Sequence, residues 1–294
     1  MLRKILSVLL VVTMLASLSS CALLRESDTV TTETQKEKPS ESIGTGGTVT
    51  EGADGTATEG AETDPVPSLP TKNPGDPFTV CIDPGHGYVD PGSTSDYLEG
   101  KWEREIVREY AEKLKSELEA AGCRVIMLWD EDRYVTASEV VSAAKAAGVE
   151  FKEEKIVDDR RFAAYNRAVW ANVLHRETYI DVLVSLHVNT YPADESINGT
   201  RIYYCSETDR TKESGTLCAN LTYALSQTLP SQKVRYYADK AENAFIMTKV
   251  PEMASALVEI GFATNPTEAK NILDTEWMDS FVDGLCRGIR ASGN

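Results

Sequence analysis

TVCIDPGHGYVDPG, residues 79–92, runs from a short apolar segment into a loop of glycine and proline, and His86 stands just past the end of the segment. Val80, Cys81 and Ile82 form an unbroken apolar run bounded by turn residues, the pattern of a buried strand. DVLVSLHVNT, residues 181–190, repeats the arrangement, with His187 closing a run of valine and leucine. The chain has only three histidines, so two at strand ends is a pattern to follow. In an open α/β sheet, ligands bind outside the carboxyl ends of the strands. Both imidazoles are therefore expected at one mouth.

Working outward, residues 78–294 alternate strand-like and helix-like segments. Strands are predicted over 78–82, 124–128, 180–186, 199–205 and 256–260. The apolar residues Ile106, Val107, Tyr110, Ala111, Leu114 and Leu118 recur at helical spacing and predict an amphipathic helix over 103–121, closed by Gly122. Further helices are predicted over 158–175, 215–229, 267–273 and 276–291. This alternation predicts an α/β fold, a sheet flanked by helices on both faces, in a single domain.

The first part of the chain differs in kind. Arg3 and Lys4 precede an apolar stretch from Ile5 to about Leu18, which has the length and flanks of an export signal rather than a membrane span. It ends in Leu18-Ser19-Ser20-Cys21, which resembles the lipobox of bacterial lipoproteins. That resemblance implies removal of residues 1–20 and a lipid on Cys21, anchoring the protein at the outer face of the cytoplasmic membrane. From 21 to 77 the sequence is Thr, Glu, Ser, Gly and Pro with almost no large apolar residue, a composition that cannot offset its ordering entropy. It reads as a disordered acidic tether. Four basic against eleven acidic residues between Ala22 and Pro77 supply close to half of the formal charge of −16. So negative a chain is a poor partner for nucleic acid.

Five cysteines follow Cys21, namely Cys81, Cys123, Cys205, Cys218 and Cys286, and none has the Cys-x-x-Cys spacing of a zinc site. Export permits disulfides, Cys205 with Cys218 or Cys81 with Cys123 being candidate pairs; burial as small apolar residues is the alternative.

Glu103 opens the helix after the His86 loop. An acidic residue in a first turn commonly just complements the helix dipole. Together with His86 and His187, however, it completes the two-histidine, one-glutamate set that zinc takes in hydrolytic sites, which leaves a fourth position for water and lowers that water's pKa to roughly 7. Glu259, in ALVEIGFATNP, is a lone carboxylate inside an apolar strand, costly there unless bonded or functional. It is the candidate general base.

These residues resemble the zinc-dependent N-acetylmuramoyl-L-alanine amidases of bacterial cell-wall turnover and sporulation, over nearly all of 78–294. IDPGHGYVDPG resembles the family's first-ligand loop, SLHVN its second histidine motif, and LVEIGFATNPTEAKNIL its C-terminal motif. The resemblance implies a mixed, mostly parallel sheet, zinc held by His86, Glu103 and His187, and Glu259 as the catalytic glutamate. It implies hydrolysis of the amide between N-acetylmuramic acid and L-alanine, with peptidoglycan as substrate. Asp83 and Asp90 are candidates to orient the histidines, or to structure the loop beside Pro84 and Pro91. Arg167 and Asn172 in NRAVWAN match the family's helix before the second histidine strand.

Three features depart from the family pattern: Tyr88 and Trp129 stand where glycine and arginine are usual, and 137–155 adds sequence. That addition is helix-like up to Gly148 and reads as a substrate wall, a cover over the zinc, or surface decoration. His175 reads as a solvated cation at a helix end. Tyr203, Tyr204, Tyr236 and Tyr237 are candidates to stack on sugar rings. Two other functions share these features: a peptidoglycan-binding or regulatory lipoprotein without turnover, and a zinc peptidase cutting within stem peptides.

Overall fold

The computed structural model describes residues 69–130, 133–158 and 160–293. The leader at 1–20, Cys21 and the tether up to residue 68 lie outside the described residues. Of the tether, residues 69–77 are described, and Lys72 is fixed there by an ion pair with Asp181 at 2.6 Å. The strands in chain order are β1 (Thr79–Asp83), β2 (Arg124–Met127), β3 (Val182–Asn189), β4 (Thr200–Cys205), β5 (Val234–Asp239) and β6 (Ala254–Phe262). The helices are α1 (Glu103–Ala120), α2 (Ala137–Ala146), α3 (Ala164–Glu177), α4 (Thr211–Thr228), α5 (Ile246–Lys249), α6 (Pro266–Leu273) and α7 (Thr275–Ala291).

The six strands form one mixed sheet in the order β2-β1-β3-β6-β4-β5. All neighbours are parallel except β4 against β6. The chain leaves β1 for β2 on one side and returns past β1 to β3 on the other. The crevice between β1 and β3 is therefore a topological switch point, where α/β sheets bind ligands.

Period-two alternation assigns each strand residue to a face. Val80, Ile82, Val182, Val184, Leu186, Ala256 and Val258 face a core shared with α1, α4, α6 and α7. Cys81 and Leu183 face a second core built from α2, α3 and α5. By the same alternation Asp83, Ser185, His187, Leu257 and Glu259 lie on this second face. Helices cover both sides, so the central strands are apolar on both faces.

Several sequence expectations need correction. The third helix begins at Ala164 rather than 158, because Phe162 takes a left-handed φ of 51° and buries its ring beside Tyr88. β5 has no counterpart among the predicted strands: VRYYAD is polar and largely exposed, being an edge strand with one neighbour. The five cysteines among the described residues are free thiols. Alternation explains this, since Cys81 faces the second core while Cys123 packs against the first, and Cys205, one step along β4 from Tyr204, faces away from the core that holds Tyr204 and Cys218. The stretch after Trp129 is not mere decoration, because Val140 and Ala144 of α2 are fully buried in the second core. No helix among the described residues is long and apolar enough to cross a membrane.

His175 is not a solvated cation. It is 1% exposed, and its Nδ1 accepts a hydrogen bond from the Ile180 N–H at 3.0 Å, which requires that nitrogen to be unprotonated. Burial, then the charges of Arg176 and Arg210, push its pKa down to about 4. An unfolded chain takes up this proton near pH 6.5. Stability is therefore full above that value and is lost as pH falls through 6.5 toward 4. The loss is about 3 kcal/mol by proton linkage. His175→Asn keeps an acceptor for Ile180 without the titration, so acid melting curves should show a shallower fall in Tm between pH 7 and 4 than for the unsubstituted protein.

Candidate metal centre

The sheet brings His86, Glu103 and His187 together, with one ligand atom from each lying within 4.8 Å of the others. His187 arrives on β3, whose alternation turns it onto the second face. His86 arrives on the loop after β1, through a backbone reversal in which Gly85 and His86 both take positive φ, 54° and 49°. Glycine is required at 85, since a Cβ there would sit 2.3 Å from the Leu186 carbonyl oxygen. For His86 the same region is sparsely populated, a local cost borne at a functional loop. Glu103 arrives on the first residue of α1, and the helix's free N–H groups are satisfied by the same loop: Glu103 N donates to Ser93 O and Arg104 N to Pro91 O.

The Glu103 carboxylate is 4% exposed. Its Oε2 accepts from the Ser93 N–H at 2.9 Å and hydroxyl at 2.7 Å. Its Oε1 accepts from Val188 N at 3.0 Å, and lies 2.9 Å from His86 Nε2 and 3.1 Å from His187 Nδ1. Burial raises the pKa of this group, but the two histidines outweigh it and hold the carboxyl well below its usual range. For His86, burial acts downward and is outweighed by Asp90 and Glu103, so the imidazole is pushed up to about 9.

The donor set fits zinc. Tetrahedral zinc with bonds of about 2.0–2.2 Å to nitrogen and oxygen takes two histidines and a carboxylate in catalytic sites. His86 Nε2 is buried and makes no hydrogen bond although an oxygen lies near, the position of a donor aimed at a common centre. Asp90 Oδ2 lies 3.1 Å from His86 Nδ1, which assigns the proton to that nitrogen and leaves Nε2 as ligand. Asp83 orients neither histidine. It is fully buried, accepts from Ser185 Oγ at 2.7 Å and pairs with Arg167 at 3.0 Å. This pair fastens the end of β1 to α3. Asn172 bonds both Val250 O and Glu252 N and fixes the approach to β6.

Glu259 lies directly beside His187 in the β3–β6 register. It is 7% exposed, and its Oε2 is buried without a hydrogen-bond partner. Burial, then repulsion from Glu103, push its pKa up to about 8, against the opposite pull of His86 and Arg201. A carboxyl that titrates near neutrality beside a donor cluster suits general acid–base work.

Of the four tyrosines, alternation places only Tyr203 and Tyr237 on the site's face, where they stack with ring centroids 5.2 Å apart. Tyr204 packs against the opposite core and Tyr236 pairs with it. Burial pushes the Tyr203 phenol up to about 12, against the pull of Arg201. Sequence reading missed Ser93, which follows the histidine loop and could be sought there as a partner for Glu103. It also missed Glu268, whose buried carboxylate accepts from Gly199 N and Phe262 N and so ties the start of β4 to the end of β6.

Comparison with known proteins bears on this arrangement. An uncharacterised Bacillus subtilis protein, YqiI, is 26% identical over 211 residues, covering 72% of this chain and 82% of that one. The germination-specific N-acetylmuramoyl-L-alanine amidase of Bacillus subtilis is 24% identical over 210 residues, 71% of this chain and 77% of its own. The crystal structure of an N-acetylmuramoyl-L-alanine amidase from Clostridium difficile superposes with a TM-score of 0.56 at 23% identity, covering 73% of this chain and 96% of that one, which establishes a shared fold. The model of one family, described as N-acetylmuramoyl-L-alanine amidase, matches residues 80–291, from the first strand of the sheet to the last turn of α7, and the chain belongs to that family.

Proposed function

We propose that this protein is a zinc-dependent amidase that hydrolyses the bond between N-acetylmuramic acid and L-alanine in peptidoglycan. The observation that carries the reading is the convergence of His86, Glu103 and His187 within 4.8 Å, with the unpartnered carboxyl of Glu259 beside them. Family membership supplies the reaction class. His86, Glu103 and His187 would hold the zinc, which would supply Lewis-acid chemistry at the scissile bond.

The chain's own residues do the rest. Asp90 holds the His86 ring so that Nε2 faces the site, and Ser93 holds Glu103 Oε2 so that Oε1 does the same. Glu259 Oε2 takes a proton from the attacking water as the new C–O bond forms. The same oxygen returns that proton to the amine nitrogen as the C–N bond breaks, so the carboxylate ends the cycle as it began. A nearly dry carboxyl strengthens each of these interactions by excluding competing water.

The sequence before residue 69 extends the proposal to location. Residues 1–20 direct export, Cys21 carries the lipid, and the acidic segment carries the catalytic domain away from the membrane face toward the wall. For the 47 residues from 22 to 68, a random coil of this composition would reach roughly 35–40 Å. Cys21→Ala should abolish incorporation of labelled fatty acid and move the protein from the membrane to the soluble fraction; labelling that persists would exclude this anchor.

Glu259→Gln preserves shape and removes the proton carrier. With purified peptidoglycan and zinc, kcat should fall by about 10²–10⁴-fold while bound zinc stays at the unsubstituted level. Stem peptides beginning at L-alanine, identified by mass spectrometry, mark the amidase, whereas fragments cut within the peptide would replace this reading with a peptidase. Asp90→Ala frees the His86 ring, and zinc affinity measured by competition with a chelator should weaken by about 10–100-fold. Unchanged affinity would show that Asp90 structures the loop and nothing more.

A further inference from the structure

Because β3 ends at the mouth of the site, the chain re-enters the sheet from that mouth, and β4 runs antiparallel to β6. Its second residue, Arg201, is thereby the direct cross-strand partner of Glu259, with His187 on the other side of Glu259 in the same row. The three side chains share one face.

The end of β6 carries an irregularity: His187 to Asn189 on β3 oppose Glu259 to Phe262 on β6, two steps against three. The extra residue re-aims the side chains that follow, as bulges near active sites do. It brings the Phe262 ring under Arg201, whose guanidinium carbon lies 4.7 Å from the ring centroid. Stacking fixes the plane of the guanidinium, the neighbouring Tyr203 hydroxyl takes one of its hydrogen bonds, and the remaining N–H groups of its edge are left for a ligand.

That edge has no ion-pair partner among the described residues. Glu259 is the adjacent residue on the next strand, yet its Oε2 has no hydrogen-bond partner. The cation is thus held by an aromatic face and a phenol, and none of the ion pairs among the described residues uses it. It is half-buried, in a chain whose formal net charge of −16 offers an acidic ligand no general attraction. A planar fork held in this way is suited to a carboxylate, which it grips through two parallel hydrogen bonds.

We propose that Arg201 is a specificity-determining residue that binds a free carboxylate on the peptide side of the substrate. The proposal rests on the amidase reading of the site. Arg201 is one strand away from Glu259, a backbone spacing of about 4.8 Å, and an extended peptide advances about 3.4 Å per residue, so a group gripped from β4 belongs to a residue close to a bond cleaved beside Glu259. The substrate class is therefore an acidic stem peptide, with its charge on the residue that follows L-alanine.

The test uses the full chain with zinc and two muramoyl peptides that differ only in a free or amidated carboxyl on that second residue. For the unsubstituted protein, kcat/KM should favour the free acid by about 10- to 100-fold, the worth of a charged hydrogen-bonded pair, expressed in KM. In Arg201→Gln the ratio between the two substrates should collapse to about one, and Arg201→Lys should restore part of it. A ratio that survives in Arg201→Gln, or an unsubstituted protein without preference, overturns the proposal.

Calorimetry separates this from failure of the amidase reading, because binding of L-alanyl-D-glutamate against its amide needs no turnover. If neither muramoyl peptide is cleaved, the amidase reading falls. A tenfold preference for the acid dipeptide that disappears in Arg201→Gln then still supports the carboxylate site, and equal binding of both dipeptides overturns it.

Discussion

A carboxylate shut away from water organises the working end of this protein. Glu103 is 4% exposed, and an ionised carboxylate in such a place costs several kcal/mol unless its oxygens are occupied. Its partners come from separate parts of the chain: Ser93 from the histidine loop, Val188 from β3, and the imidazoles of His86 and His187. The loop can fold this closely only because Gly85 and Gly92 lack side chains; a Cβ on Gly92 would come within 2.8 Å of both Glu103 and His86. Loop, helix start and strand end are thus one structure with the carboxylate at its centre.

The elements that carry this centre are legible in the sequence because their signals are local. An unbroken apolar run between turn residues specifies a strand buried on both faces, and β1, β3 and β6 each have one. Glu259 is visible as a single charge inside such a run. Glu103 needs the two histidines to distinguish it from an ordinary first-turn acid. Arg201 and Ser93 are not legible, since their importance depends on which strand pairs with which and on how a loop closes. His175 misleads for a related reason: a histidine beside arginine at a helix end looks solvated until the following chain folds over it and donates the Ile180 N–H. The polar edge strand β5 has no periodic signal to find.

Tyr88, Trp129 and α2 also make sense only in three dimensions. Tyr88 contacts Trp129, Tyr134 and Phe162 with ring centroids 4.7–5.5 Å apart. Its hydroxyl donates to Arg133 O and accepts from Val135 N, fastening the chain just before α2. Two unusual aromatic residues and the added helix are therefore one packed unit. A glycine at 88 would leave that unit without its anchor. α2 supplies apolar residues to the same second core, so Tyr88, Trp129 and the helix are coupled by packing.

Two glutamates share the mouth of the sheet and are driven in opposite directions. Glu103 has two imidazoles and two N–H groups around it and stays ionised; Glu259 is buried between His187 and Arg201 with the charge of Glu103 nearby, and burial and that charge raise its pKa into the range where it can exchange a proton. Separation of this kind divides labour between a group that keeps its charge and one that can exchange a proton. The division follows from alternation: β3 and β6 set His187 and Glu259 side by side, while the hydrogen-bond donors that fix Glu103 come from Ser93 of the loop above and from the Val188 N–H of β3. Moving a ligand to the other face would require a register shift of one residue, which would turn the core side chains of that strand outward as well. The chemistry at the mouth and the packing of the sheet are therefore specified by the same register.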